Sequence, residues 1–138
     1  MEREATHAIA VKAHIWRAGK LLILKRQEND EEYGGYWDIP GGRLLLGEDA
    51  RQGLTREVRE ETGLAPQKIR PLTVWDYEAG GTKVVGLSFL ARTEEEKVRL
   101  SAEHSAYAWM APEEMSAYRF AANLEKEISW IIEKGWHL

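Results

Sequence analysis

The sequence contains no cysteine among its 138 residues. Disulfide scaffolds, thiolate nucleophiles and cysteine-ligated zinc sites are therefore excluded. A long apolar run is also missing, because no stretch approaches the roughly 18 apolar residues of a membrane-spanning helix. The amino-terminal residues Met1 to Glu4 contain three charged or polar side chains and no apolar signal core. We therefore expect a soluble, cytoplasmic protein without a membrane partner.

The chain lacks an excess of positive charge, since 23 acidic residues outnumber 19 basic ones and give a formal net charge of −4. Nucleic acids and anionic membranes are bound mainly through Lys and Arg, so neither is expected as a partner. Hydrophobic residues make up 43% of the chain and charged residues 30%, which is typical of a globular protein. A chain of this length forms one sizeable core, and we predict a single domain over residues 1–138.

The first third of the sequence is typical of β-strands. Apolar and β-branched residues from Thr6 to Trp16 and from Lys20 to Arg26 indicate a hairpin with Ala18-Gly19 as its turn. A short extended segment is predicted at 37–39, because the following proline disfavours helix in the residue before it. The leucines at 44–46 predict another short strand.

A helix is predicted from Ala50 to Thr62, with Asp49 as its N-cap and Gly63 as its C-terminal stop. Four further elements follow it: strands over 70–77, 83–91 and 107–110, and a terminal helix over 122–135. Strands and two helices in this order indicate an α/β fold, with a mixed β-sheet covered on both faces.

Three glutamates of the first helix share one face. At about 100° per residue, Glu60 and Glu61 lie about 60° and 40° to either side of Glu57. Like charges at this spacing destabilise an isolated helix by a few tenths of a kcal/mol each, and a divalent cation would relieve the repulsion. Carboxylate oxygens select Mg²⁺, Mn²⁺ or Ca²⁺ over zinc or copper. The Gly41-Gly42 turn would let a backbone carbonyl approach such an ion, and the site would suit attack of water on phosphorus.

An isolated helix face rich in Glu and Arg is usually only solvated, but the wider spacing argues against that interpretation. After Gly42 come five residues and Glu48, and seven residues later the run Arg-Glu-Val-Arg-Glu-Glu-Thr-Gly-Leu occupies 56–64. This 23-residue pattern resembles the signature of the Nudix hydrolase family, and in particular its MutT-like members. The segments at 36–42 and 103–109 also look like the family, so the resemblance covers roughly residues 6–135.

The resemblance implies an α/β/α sandwich that hydrolyses a nucleoside diphosphate linked to another moiety, with Mg²⁺ or Mn²⁺ as cofactor. A (d)NTP or related nucleotide is the favoured substrate, and dinucleoside polyphosphates and ADP-ribose are alternatives. A catalytically silent nucleotide sensor is a different class, disfavoured because such proteins usually lose one of the metal-binding glutamates. Family members are often dimers, so a homodimer is a further expectation by analogy.

The resemblance also implies roles for individual residues. The Gly41 carbonyl, Glu57, Glu60 and Glu61 take the metal-binding positions. Arg56 and Glu48 form an ion pair that orients them. The matching glycines of the signature, Gly42 and Gly63, support the same segment. The general base varies among family members, and Glu60 and Glu103 are the two candidates here.

Four further residues are candidates for substrate binding. Arg26 and Arg43 could each meet a phosphate or remain solvated. Tyr36 could stack on a nucleobase, although ordinary packing is the more frequent role of a single tyrosine. Asn123 resembles the asparagine with which MutT-type enzymes read a guanine edge, yet asparagine is also a good N-cap, and the cap is favoured. We expect His104 to be a solvated loop residue.

Overall fold

The computed structural model describes residues 6–138, so the amino-terminal segment Met1 to Glu4 lies outside the described residues. The elements in chain order are β1 (His7–Arg17), β2 (Lys20–Arg26), β3 (Trp37–Asp38), β4 (Gly41–Arg43), α1 (Ala50–Thr62), β5 (Gln67–Ala79), β6 (Thr82–Arg92), β7 (His104–Met110), a short 3-10 helix (Pro112–Ala117) and α2 (Leu124–Lys134). None of the helices in residues 6–138 is long and apolar enough to cross a membrane.

All seven strands belong to one mixed sheet. Its main path runs in the order β3-β2-β1-β6-β5, while β4 pairs with β1 and β7 pairs with β2. β1 runs parallel to β6, from the pair His7 and Lys83 to the pair Trp16 and Arg92. The other pairings between strands are antiparallel. The prediction of a mixed sheet is therefore confirmed.

The sheet separates two hydrophobic cores. On one face α1 buries Leu54 and Val58 against the sheet, and on the other face α2 buries Ile128 and Ile131. The four residues 21–24 of β2 contribute alternately to the two cores, because successive side chains of a strand point to opposite faces. This arrangement is the expected α/β/α sandwich.

Both ends of α1 follow the sequence prediction. The Asp49 side chain accepts a hydrogen bond from the backbone N–H of Gln52 at 2.8 Å, and the Gln52 side chain accepts one from Asp49 N at 3.2 Å. This reciprocal pair is a capping box. At the other end Gly63 adopts the left-handed conformation, and its N–H donates to the Arg59 carbonyl at 2.9 Å. The capping residues therefore fix the two ends of α1, and the helix between them includes all three glutamates.

The predicted strand at 44–46 is wrong, because the strand in this part of the chain is β4. Gly41 and Gly42 pair with Lys12 and Val11 of β1. A β-carbon on Gly41 would lie 2.1 Å from the Val11 carbonyl oxygen, so only glycine permits this close approach. The chain then leaves the sheet, and Leu46 is fully exposed. The absence of side chains at the glycines, rather than the apolar leucines, determines where this strand lies.

Candidate active site

The glutamates of α1 lie directly against the glycines of β4. Oε1 of Glu61 accepts a hydrogen bond from the backbone N–H of Gly41 at 2.8 Å. A β-carbon on Gly42 would lie 2.6 Å from Cδ of Glu57 and 2.7 Å from each of its carboxylate oxygens. Because neither glycine carries a side chain, the backbone of β4 and two helix carboxylates can share one small volume.

One guanidinium connects the glutamates of the loop and the helix. Arg56 donates from Nε and Nη2 to the two carboxylate oxygens of Glu48, at 2.6 and 3.0 Å. Its Nη1 reaches Glu57 at 3.1 Å and Glu60 at 3.2 Å. Its Nη2 also donates to the Arg43 carbonyl at 3.3 Å. These contacts limit the rotamers of two helix glutamates, as expected for an orienting ion pair.

Burial makes two of these carboxyl groups hard to ionise. Glu61 is only 4% exposed, and burial raises its pKa to about 8, against the opposing effects of the Gly41 N–H and Lys12. Burial also raises the pKa of Glu57, and the charges of Glu60 and Glu103 contribute further in the same direction. A cation placed among these groups would lower both pKa values, because it favours the ionised carboxylates.

The imidazole of His104 lies beside two of the carboxylates. Glu61, Glu103 and His104 each offer one ligand atom, and the three atoms lie within 4.8 Å of one another. Their oxygen and nitrogen donors suit a divalent cation, so the residues present fit the metal that the resemblance implies. The expectation that His104 is solvated is wrong, since it is 8% exposed.

His104 is buried because it begins β7 and pairs with Arg26 of β2. Simple alternation along β7 could not have revealed this, because the β2–β7 register shifts between Lys25 and Arg26. Met110 therefore belongs to the core beneath α2, whereas His104 faces Glu61 of α1.

A second group of charged side chains lies beside the first. Of its members, the sequence analysis identified only Arg26 as a candidate. Asp38 is 7% exposed and accepts a hydrogen bond from Lys12 at 3.1 Å and one from Arg26 at 2.7 Å. Arg26 also binds Asp30 at 2.7 Å. Burial acts to raise the pKa of Asp38, but Lys12, the Ile39 N–H and Arg26 together lower it, so the carboxylate stays ionised. The Arg26 guanidinium is therefore held between two carboxylates.

The side chains of the remaining candidates lie outside these two hydrogen-bonded groups. Arg43 has an exposed side chain, and its carbonyl supports Arg56. Tyr36 is half-buried, with the Arg119 guanidinium 4.9 Å above its ring. Asn123 is exposed at the start of α2, and its side chain makes no capping hydrogen bond. Asn123 therefore occupies the N-cap position without the interaction that makes a cap stabilising.

Comparison with known proteins gives a consistent result. The NUDIX domain family model matches residues 6–131. CTP pyrophosphohydrolase of Escherichia coli K12 is 31% identical over 80% of this chain and 81% of its own length. Nucleoside triphosphatase NudI of Escherichia fergusonii is 30% identical over 83% of this chain and 89% of its own length. The crystal structure of the MutT protein from Methanosarcina mazei Go1 superposes with a TM-score of 0.78, at 29% identity, covering 97% of this chain and 99% of that one.

Proteins of this family act on small nucleotide substrates and generally need a divalent metal ion. The match to the family model extends from β1 into α2 and includes every element of the site. The carboxylate group on α1, the glycines of β4 and the two sequence relatives all agree with it. The chain therefore belongs to the Nudix family and is a hydrolase that acts on phosphorus-containing anhydrides.

Proposed function

We propose that this protein hydrolyses the diphosphate linkage of a nucleoside diphosphate derivative with Mg²⁺ or Mn²⁺, and that its substrate is a (d)NTP or a related nucleotide. The observation that carries the proposal is the contact of Glu57 and Glu61 with the glycines of β4, in a group organised by Arg56. The names of two relatives, a CTP pyrophosphohydrolase and a nucleoside triphosphatase, support a nucleoside triphosphate as the substrate.

We assign the cation to the carbonyl of Gly41 and the carboxylates of Glu57, Glu60 and Glu61. When bound, the cation supplies positive charge to the phosphate oxygens, whose negative charge increases in the transition state. Arg56 keeps two of these carboxylates in place before substrate arrives, because it binds Glu57 and Glu60 simultaneously. Such preorganisation spares the enzyme the cost of ordering its ligands during the reaction.

The general base must take a proton from the water that attacks phosphorus, so it needs an ionised and accessible carboxylate. Glu60 is accessible, since its side chain is 58% exposed, and Nη1 of Arg56 lies 3.2 Å from it. Glu103 is accessible as well, because it is exposed, and it approaches Glu61 from just before β7. We therefore retain both glutamates as candidates for the base.

On the substrate side we propose that Arg26 and Arg43 lie near the phosphates and that Tyr36 and Asn123 contact the nucleobase. Two features support this assignment. The side chains of Arg43 and Asn123 are exposed, and the Asn123 amide is not used in capping α2. An amide can make a pair of hydrogen bonds with the edge of a purine.

A substrate panel tests the proposal. Purified protein is incubated with each of the (d)NTPs, a dinucleoside tetraphosphate and ADP-ribose in Mg²⁺ or Mn²⁺, and phosphate and pyrophosphate are measured. We expect one or more (d)NTPs to be hydrolysed fastest, and EDTA to abolish turnover. Preference for either of the other two substrates would move the assignment to that class. Nucleotide binding without turnover of any substrate would identify a sensor.

Four variants test the residue roles: Glu57→Gln, Glu60→Gln, Glu61→Gln and Glu103→Gln. Each removes one negative charge from the site with almost no change in side-chain volume. Because each ~1.36 kcal/mol of lost transition-state stabilisation lowers kcat tenfold, we expect kcat to fall by several orders of magnitude. The matched control is Glu133→Gln, which changes an exposed glutamate of α2. If Glu57→Gln and Glu60→Gln both stay within about threefold of wild type, α1 is not catalytic.

A further inference from the structure

The imidazole of His104 is an unusual feature of the carboxylate site. Its side chain is 6% exposed, and among the residues that the structure describes its Nδ1 has no hydrogen-bond partner. A buried polar atom without a partner is costly, and it calls for an explanation such as a bound ion. Oε2 of Glu61 lies 3.8 Å from this nitrogen, which is beyond hydrogen-bonding distance.

The two carboxylate oxygens of Glu61 have different environments. Oε1 accepts the Gly41 N–H at 2.8 Å, whereas Oε2 faces Nδ1 of His104. Glu103, the residue before His104, brings a third ligand atom into the same space. A nitrogen and an oxygen held 3.8 Å apart are too distant to bind each other, but both can reach a cation of about 2.1–2.2 Å bond length placed between them.

We propose that His104 is a direct nitrogen ligand of a divalent cation, together with Glu61 and Glu103, and that this makes the site selective for Mn²⁺ over Mg²⁺. The proposal rests on the proposed function only in that the same cation serves hydrolysis.

The selectivity follows from the donor set. Mg²⁺ prefers oxygen ligands and binds imidazole poorly, whereas the affinity of nitrogen-containing sites increases along the first transition series that begins with Mn²⁺. A site made only of carboxylates and a carbonyl would show less difference between the two ions. Replacing one oxygen donor by the His104 imidazole should therefore shift the preference toward Mn²⁺.

Pulsed electron paramagnetic resonance of the Mn²⁺-loaded protein tests direct ligation, because it detects nitrogen bound to the ion. We expect ¹⁴N modulation in the wild type that changes to ¹⁵N modulation when the protein is grown with ¹⁵N-histidine. The signal should persist in His14→Gln, which changes another buried histidine, and disappear in His104→Gln. Absence of histidine nitrogen in the wild-type signal overturns the proposal even if His104→Gln fails to fold.

Binding titrations of both ions test the selectivity. In His104→Gln we expect Mn²⁺ affinity to fall by at least roughly tenfold, since even residues that only orient metal ligands cost that much. Mg²⁺ affinity should change less, so the ratio of the two affinities should decrease. An unchanged ratio, or ¹⁴N modulation that survives in His104→Gln, overturns the proposal. Neither measurement uses a nucleotide, so a failed substrate panel would contradict the proposed function without affecting this result.

Discussion

Arg56 and Glu48 form an ion pair with two hydrogen bonds, in which Nε and Nη2 of the arginine bind the two oxygens of the glutamate at 2.6 and 3.0 Å. This geometry uses the planar, forked shape of the guanidinium, and a lysine ammonium cannot reproduce it. The third donor group of Arg56 remains available for Glu57 and Glu60. The pair therefore connects the loop before α1 to the glutamates that we propose as metal ligands.

Arg56→Lys keeps the positive charge but cannot form the pair of hydrogen bonds to the two oxygens of Glu48. We expect metal affinity and kcat to fall roughly 10- to 100-fold, as is usual when a group that orients metal ligands is replaced. The measurements are Mg²⁺ and Mn²⁺ titrations and kcat at saturating metal. Arg59→Lys, at an exposed position of the same helix, is the control and should match wild type. Equal activity of the two variants would show that charge alone suffices at position 56.

Gly42→Ala and Gly41→Ala should have different effects. The atoms nearest to a β-carbon at 42 are the carboxylate atoms at the end of the Glu57 side chain, the closest at 2.6 Å. We expect a folded protein in which Glu57 is displaced and kcat falls by about 10²-fold, the usual cost of a misplacement near 1 Å.

A β-carbon at 41 instead meets the backbone oxygen of Val11 at 2.1 Å, so β4 itself must move. We expect Gly41→Ala to lower the melting temperature of the metal-free protein much more than Gly42→Ala does. Thermal melts of both variants without metal, together with kcat, make the comparison. A large loss of stability in Gly42→Ala would mean that the helix, and not the glutamate side chain, has been displaced.

The raised pKa of Glu61 predicts how stability depends on pH. Burial raises this pKa to about 8, against about 4.3 in an unfolded chain. The folded metal-free protein therefore binds the proton more tightly, and this stabilisation is complete below about pH 4.3 and is lost as pH rises toward 8. The measurement is the free energy of unfolding of the metal-free protein at several pH values. The decrease between about pH 4.3 and pH 8 that Glu61 causes should be absent in Glu61→Gln and present in Glu133→Gln.

The same proton competes with the cation. Apparent metal affinity should rise with pH up to about 8 and then level off, because Glu61 must be ionised to bind. Titrations of Mn²⁺ at several pH values measure this dependence. A metal affinity that does not change between pH 6 and pH 8 would exclude Glu61 as a ligand with a raised pKa.

Asp49 and Asn123 precede the two helices, but only Asp49 makes a capping hydrogen bond. We expect Asp49→Ala to lower the free energy of unfolding by about 1 kcal/mol and Asn123→Ala by less than about 0.5 kcal/mol. Denaturant unfolding of both variants measures the difference.

If Asn123 reads a nucleobase, Asn123→Ala should raise KM for purine nucleotides more than for pyrimidine nucleotides. KM for both classes of nucleotide is measured with each variant. An equal change for the two classes, or a loss of stability as large as that of Asp49→Ala, would support capping instead.

Much of α1 follows from local sequence. Asp49, Gln52 and Gly63 determine where the helix begins and ends through contacts within a few residues. The spacing of Glu57, Glu60 and Glu61 then follows from the helical period. The unbroken apolar run of residues 21–24 likewise predicts the strand β2 from local sequence.

The placement of His104 and of β4 does not follow from local sequence. His104 is buried because β7 pairs with β2, and its partner Arg26 lies 78 positions earlier in the chain. β4 lies at Gly41–Arg43 because the backbone of β1 approaches it there, and no local preference of the leucines at 44–46 competes with that contact. Lys12, Asp38 and Arg26 likewise form one ionic group only after β1, β2 and β3 come together.

The sequence by itself determined the helix with its aligned glutamates, the glycines that precede it and the membership of the family that this spacing indicates. These features depend on short-range geometry, which repeats along a helix or a strand in a known way. Only the tertiary structure decided that Glu61 is buried, that Asp38 pairs with both Lys12 and Arg26, and that His104 faces the carboxylates. Burial, ion pairing and the resulting pKa shifts depend on residues distant in the chain, because desolvation and charge act through space.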